Sequence, residues 1–292
     1  MKKVNFTAEV SSNHNNNLER SLKFIDEASK SGCTSVKFQL FKIEELFSEE
    51  ILSKSKTHRD RKKWELPLDF IPKLSNYTHK LGMLFSCTPF YLEAVKELEP
   101  YVDFYKIASY ELLWKDLFIE CAKTGKPLVF STGMSTLEEI KSVLDEIKDL
   151  KTKDITILKC TSAYPTPIAE ANLSAINTLK VELKEYNKYF NLSFGYSDHT
   201  VSRNVINRAV NHYNCDFIEF HLDLDGKGEE FSAGHCWLPE QIKEVINNIN
   251  IDLSSDGNGI FGPTDSERPD RLWRADPSDG LRPLKQTRET YE

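Results

Sequence analysis

Short apolar runs alternate with longer amphipathic ones along this chain, and the alternation repeats eight times. The short runs are "VNFTAEV", "SVKFQLF", "MLFSCT", "FYKIAS", "PLVFSTG", "ITILKCTS", "LSFGYSD" and "FIEFHLD", each strand-like in length and pattern. Between them lie helical patterns such as "NLERSLKFIDEASKSG" and "STLEEIKSVLDEIKDL". The first is expected to stop on Gly32 as its C-cap, the second to open on a Ser135/Glu138 capping box. Eight strand-then-helix units in about 250 residues predict an α/β fold, a (β/α)8 TIM barrel, over residues 1–251. No G-x-G-x-x-G follows the first strand, which disfavours a doubly wound dinucleotide-binding sheet.

Two segments fall outside the repeat. Residues 42–68 are long, charged and aromatic, and are expected to form an active-site loop. Residues 252–292, rich in Gly, Pro and Asp, are expected to be an irregular but ordered C-terminal extension packed on the barrel. There Trp273 and Leu281 call for burial, and Arg274 and Arg282 for partners.

The polar positions carry the chemistry. In "FIEFHLDLD" Ile218, Phe220 and Leu222 occupy one face, while Glu219, His221 and Asp223 occupy the other. Unpaired charges inside a protein are costly, so that row needs partners or a polar space to face. The other strands also end in polar groups: Glu9; Lys37 and Gln39; Ser86 and Thr88; Lys106 with Ser109 and Glu111; Ser131-Thr132-Gly133; Ser162 and Tyr164; Ser197-Asp198-His199. A parallel barrel brings such ends to one mouth, where they make sense around a ligand. His199 and His221 end adjacent strands, which lie about 4.8 Å apart, so their rings can meet on one divalent ion. Lys37 and Lys106, with the hydroxyls and the amides of Ser131-Thr132-Gly133, suit a phosphate and a carboxylate. The combination points to a phosphorylated small acid reacting with a polarised carbonyl.

Composition narrows the class. With 39% hydrophobic and 28% charged residues, the 292-residue chain reads as a soluble globular protein. A formal net charge of -7 argues against nucleic-acid binding, and the basic run His58–Lys63 reads as a solvated loop. No run approaches a membrane span and no signal-peptide core opens the chain, so a cytoplasmic protein is expected. The six cysteines form no C-x-x-C, and most are expected to be small core residues in a reducing cytoplasm.

The stretches "AEVSSNHNNN", "VKFQLF", "FSCTPF", "YKIASYE", "KPLVFSTGMSTLEEI", "KCTSAYPTP", "GYSDHT" and "IEFHLDLD" together resemble the sialic acid (N-acetylneuraminate) synthase family. The resemblance implies condensation of phosphoenolpyruvate with an aldose such as N-acetylmannosamine, giving a nonulosonic acid and phosphate. It implies that His199 and His221 hold a manganese-type ion, with magnesium or cobalt as alternatives. Phosphoenolpyruvate would rest on Lys37, Thr88, Lys106, Ser109, Ser131, Ser162, Tyr164 and Ser197. Glu9, Gln39, Glu111 and Tyr164 would meet the sugar, and a homodimer is expected.

The chain departs from the family in several places. Asn15, Asn16 and Asn17 follow Asn13-His14 where the family has glycine. Lys159 and Ser162 replace a common histidine and asparagine. In "EEFSAGHCW", Ser232 or His235 stands for the aspartate that binds sugar hydroxyls. The family's antifreeze-like C-terminal domain, which the resemblance implies brings an arginine to the partner subunit's sugar site, is expected to be missing here. Arg274 or Arg282 is the expected substitute. A different 3-deoxy-2-ulosonic acid synthase, a Schiff-base aldolase using Lys106, and a non-catalytic barrel subunit are the competing readings.

Overall fold

Residues 4–291 are described by a computed structural model. Eight strands appear where the alternation predicts them: β1 Asn5–Glu9, β2 Ser35–Leu40, β3 Leu84–Pro89, β4 Phe104–Ile107, β5 Leu128–Ser131, β6 Asp154–Cys160, β7 Asn191–Asp198 and β8 Phe217–Leu222. Consecutive strands pair in parallel, and β1 pairs with β8, closing the (β/α)8 barrel. A further short strand, β9 (Cys236–Trp237), pairs in parallel on β8 with His221 opposite Cys236.

Period-two patterning divides the apolar residues into two cores. Outward side chains such as Val36, Phe38 and Leu40 join the large core between sheet and helices. The helix Leu18–Lys30 supplies Phe24, Ile25 and Ala28 to it, at helical spacing. Inside the barrel Phe104, Val129, Leu158 and Phe217 form a separate apolar floor. Gly195 stands beside them because a Cβ there would lie 2.2 Å from the Phe217 carbonyl oxygen and 2.6 Å from Leu158 Cδ2. Above this filled floor the inward positions become polar, so the reactive groups gather at one end.

Local details correct several expectations. The second capping box is Thr136/Glu139: the Thr136 amide donates to Glu139 Oε2 at 2.7 Å and the Glu139 amide to Thr136 Oγ1 at 3.3 Å. Ser135 lies one residue too early, and its hydroxyl turns back to the Gly133 carbonyl. Ser31, not Gly32, caps the first helix, and Gly32 follows it with φ +88°. Asn15 and Asn16 hold φ of +51° and +52°, a left-handed geometry that glycine adopts freely and asparagine tolerates. Residues 42–68 are not an open loop; they fold into the short helices Ile43–Leu46, Glu49–Lys54 and Lys56–Arg59 and two 3-10 turns. Buried Ile43 and Leu66 anchor the segment, and Glu65 accepts a bond from the Ile43 amide. The basic run is exposed but paired in part, Lys62 with Glu44 and Lys63 with Glu229. All six cysteines are free and buried.

A second compact unit starts at Ser254, inside the helix Pro239–Ser255. Its own order comes from 3-10 turns at Asp265–Glu267 and Pro269–Trp273, the helix Lys285–Glu289, and a two-pronged Arg288–Asp279 pair at 2.6 and 2.8 Å. Trp273 packs edge-on against Tyr291 but stays half-exposed, and Leu281 is 63% exposed, so neither is buried as its type suggested. Arg274 donates from Nε to the Arg271 carbonyl.

Candidate active site

Barrel closure places two lysines and two carboxylates in one buried cluster. Lys37 Nζ lies 2.7 Å from Glu9 Oε2 and 3.5 Å from Glu219 Oε2, and Lys106 Nζ lies 3.5 Å from Glu219 Oε1. Lys37 also donates to Thr88 Oγ1, Lys106 to the Ile107 carbonyl, and Ser197 Oγ to Glu219 Oε1 at 3.2 Å. Formal charges cancel, which is how four ionised groups survive burial together. Burial pushes the Lys37 ammonium down, but Glu219 and Glu9 more than reverse this, raising it to about 12. Burial disfavours the Glu219 carboxylate too, yet Lys106 and Lys37 hold it well below the usual value. Lys106 goes the other way: burial outweighs Glu219 and lowers it. Gln39 donates to Glu9 Oε1 at 2.6 Å, bringing the expected sugar contacts together at the rim.

Beside this cluster lies a cradle with unmet hydrogen-bonding capacity. The Gly133 amide donates to Ser109 Oγ at 2.9 Å, while the buried hydroxyls of Ser131 and Ser162 have no partner. Neutral donors left over next to buried lysines suit an incoming anion. Glycine at 133 keeps the cradle open, because a Cβ would stand 2.1 Å from Ser162 Oγ and 2.8 Å from Ser109 Oγ. Gly133→Ala should therefore raise the KM for the anionic substrate at least about tenfold, with the melting temperature little changed. An unaltered KM in a folded variant would remove the cradle from the site. Glu111 is half-buried next to this region, its Oε2 buried and unpartnered; desolvation lifts its carboxyl to about 7 against the pull of Lys106.

The other half of the mouth holds imidazoles. His199 and His221 have ring centres 5.2 Å apart, and Tyr164 lies over His199 at 4.3 Å. His199 Nδ1 faces the Thr161 carbonyl at 3.0 Å, and His221 Nδ1 faces Glu230 Oε2 at 2.8 Å. An acceptor at Nδ1 fixes the proton there and leaves a lone pair on Nε2, the arrangement in which a histidine binds a metal. The two residues thus fit a divalent cation. Without one, burial pulls His221 down, but Glu230 overrides it and lifts the imidazole to about 10. Glu230 is in turn held well below its usual value by His221, against burial.

Three placements differ from expectation. Asp223 lies just past β8 and faces Arg20 Nη2 at 3.2 Å and the Gly228 amide at 3.1 Å, so it braces a loop instead of lining the mouth. Ser232 is exposed and bonds back to the Gly228 carbonyl. Glu230 was not foreseen, yet it accepts from Ser11 and Ser12 and neighbours His235 and Cys236. Donor atoms of His221, Glu230, His235 and Cys236 all lie within 4.8 Å of one another. The signal was legible: a carboxylate, an imidazole and a thiol within seven residues of "EEFSAGHC", directly after a barrel strand. Lys159, which replaces the family histidine, turns to the Cys160 carbonyl and Thr161 Oγ1. Arg274 and Arg282 lie in the second compact unit.

Fold and site together define a (β/α)8 barrel enzyme whose mouth sets a buried lysine–carboxylate cluster beside a pair of imidazoles. Residues 24–260 match the NeuB family model, and the chain belongs to that family. It is 33% identical over 281 residues to the N,N'-diacetyllegionaminic acid synthase of Campylobacter jejuni, covering 92% of this chain and 82% of that one. It is 34% identical over 271 residues to a pseudaminic acid synthase of Campylobacter jejuni, covering 88% and 76%. The N-acetylneuraminic acid (sialic acid) synthetase structure from Leptospira borgpetersenii superposes with a TM-score of 0.79 at 27% identity, over 92% of this chain and 90% of that one. No helix among the described residues is long and apolar enough to cross a membrane.

Proposed function

We propose that the protein condenses phosphoenolpyruvate with an open-chain acetamido aldose, giving a nonulosonic acid and phosphate. The carrying observation is the juxtaposition of Lys37, Lys106 and the unpartnered Ser131 and Ser162 hydroxyls with the imidazole pair. The lysines and the Ser109–Gly133 cradle take the phosphate and carboxylate. Glu9, Gln39 and Glu111 take the sugar. A divalent ion of the manganese type, held by His199 and His221, would supply Lewis acidity toward the aldehyde oxygen.

The reaction follows from this placement. C3 of phosphoenolpyruvate gives its π pair to the aldehyde carbon, forming the new C–C bond, and the former carbonyl oxygen takes up a proton. Positive charge left at C2 is captured by water, which loses its own proton. The hydroxyl of the resulting tetrahedral centre gives up its proton, to the departing phosphate, as the C–O bond breaks, and C2 becomes the keto group. Lys37 and Lys106 offset the phosphate charge throughout, in a site shielded from water, where such pairing is strongest. Glu111, with its carboxyl near 7, is the proton donor to the former aldehyde oxygen. A donor loses its proton as pH rises, so kcat/KM should fall above about pH 7 and Glu111→Gln should remove that limb. A limb that survives the substitution would move the role elsewhere.

The test of the function is direct. Phosphoenolpyruvate is incubated with N-acetylmannosamine and with other acetamido aldoses; phosphate release and product mass are followed. Label in the bridging oxygen of phosphoenolpyruvate should leave with phosphate. If no aldose releases phosphate, the reading fails. A borohydride-stable adduct on Lys106 would favour an aldolase instead.

A further inference from the structure

His235 has no role in the reaction as written, yet it is 6% exposed and its Nδ1 is buried without a partner. A buried imidazole nitrogen with nothing to bond is costly and marks a position built for a ligand. Its ring centre lies 5.1 Å from that of His221 and 6.5 Å from that of His199. Imidazoles sharing one ion, with metal–nitrogen bonds of about 2.1 Å, have ring centres about 4.5–6.5 Å apart. All three pairs fall in that range.

The orientation of the rings agrees. Each one turns a single nitrogen to an oxygen acceptor: His199 Nδ1 to the Thr161 carbonyl, His221 Nδ1 to Glu230 at 2.8 Å, His235 Nε2 toward Glu230 at 3.6 Å. The opposite nitrogen of each, Nε2 of His199 and His221 and Nδ1 of His235, is the one available as a ligand. Glu230 thereby braces two rings, and the Ser11 and Ser12 hydroxyls fix Glu230. The carrier loop is itself pinned: β9 pairs on β8, and Trp237 Nε1 donates to Asp198 Oδ2 at 3.1 Å. Tyr164 covers the group, with ring centres 4.3 and 5.1 Å from His199 and His235.

We propose that His235 is a third protein ligand of the divalent cation, completing a three-imidazole site with His199 and His221 that Glu230 orients. The inference rests on the metal reading above. Three imidazoles hold an ion without help from substrate and favour borderline cations such as cobalt or zinc over manganese. Cys236 Sγ, which donates to Glu230 Oε2 at 3.7 Å, is assigned no place in this three-imidazole set, although its sulfur lies in the same cluster of donor atoms.

The test measures binding, not turnover. Metal-free protein is titrated with cobalt(II) in the absence of substrates, for the native chain, His235→Phe, His221→Gln and Cys236→Ser. Phe keeps the ring volume, and circular dichroism checks the fold. His235→Phe should weaken cobalt binding at least about tenfold, and Cys236→Ser should not. X-ray absorption on the zinc form of the native protein should count three imidazoles, which bypasses any misfolding of a variant. Two imidazoles, or cobalt affinity unchanged in folded His235→Phe, would overturn the third ligand alone. Unchanged affinity in His221→Gln would overturn the metal reading itself. A thiolate-to-cobalt charge-transfer band that vanishes in Cys236→Ser would replace His235 by the cysteine.

Discussion

Lys106→Gln should lower kcat/KM for phosphoenolpyruvate by about a hundred- to a thousandfold, a loss of the size seen when one preorganised donor to a developing charge is removed. Lys106 is fully buried and shares Glu219 with Lys37, so a point charge is delivered where water cannot substitute for it. Burial lowers its affinity for the proton, which means the fold bears a cost to keep this ammonium. Function, not stability, explains its presence. Removing it leaves Glu219 with one lysine, and breaking a buried pair costs about 3–5 kcal/mol. The stability of each variant must therefore be measured beside its kinetics. Lys106→Arg separates the two effects: it keeps the charge and should keep part of the affinity for phosphoenolpyruvate, while its planar fork misplaces the donors and the rate falls. Near-native kcat/KM in a folded Lys106→Gln protein would exclude Lys106 from the reaction.

Removal of divalent metal should abolish turnover, with recovery on adding manganese, magnesium or cobalt. His221→Gln should match this loss at any practical metal concentration, because the ring is the one imidazole close to both others. Glutamine is preferred to alanine for a physical reason. His221 is the nearest partner of Glu230 Oε2, at 2.8 Å, and an alanine would leave that oxygen only the weak Cys236 thiol and the more distant His235. Full turnover by protein stripped of metal, as verified by elemental analysis, would end the metal reading.

Much of this site was legible before the chain was folded. Period-two alternation is a local property, so Lys37, Lys106, Glu219 and His221 could be assigned to inward faces from their own strands. The capping box came out one residue off because Ser135 and Thr136 are both competent caps. Only the actual helix start, at Leu137, separates them.

The sequence by itself determined the eight-fold alternation, the barrel, and the set of polar strand ends, since each depends on residues a few positions apart. Tertiary structure decided which charges neutralise which. Glu219 became the shared partner of Lys37 and Lys106 because barrel closure sets β8 against β1 and β7, with Glu219 in register with Thr7 and Ser197. It also decided that Glu230 and His235 reach His221 while Asp223 does not. Asp223 is two residues beyond His221 and of the same parity, but the strand ends at Leu222, where the alternation stops. Past that point the backbone turns, Arg20 captures Asp223, and β9 folds the loop back over the imidazoles. Side-chain direction beyond a strand end is set by long-range bonds, and these have no period to read.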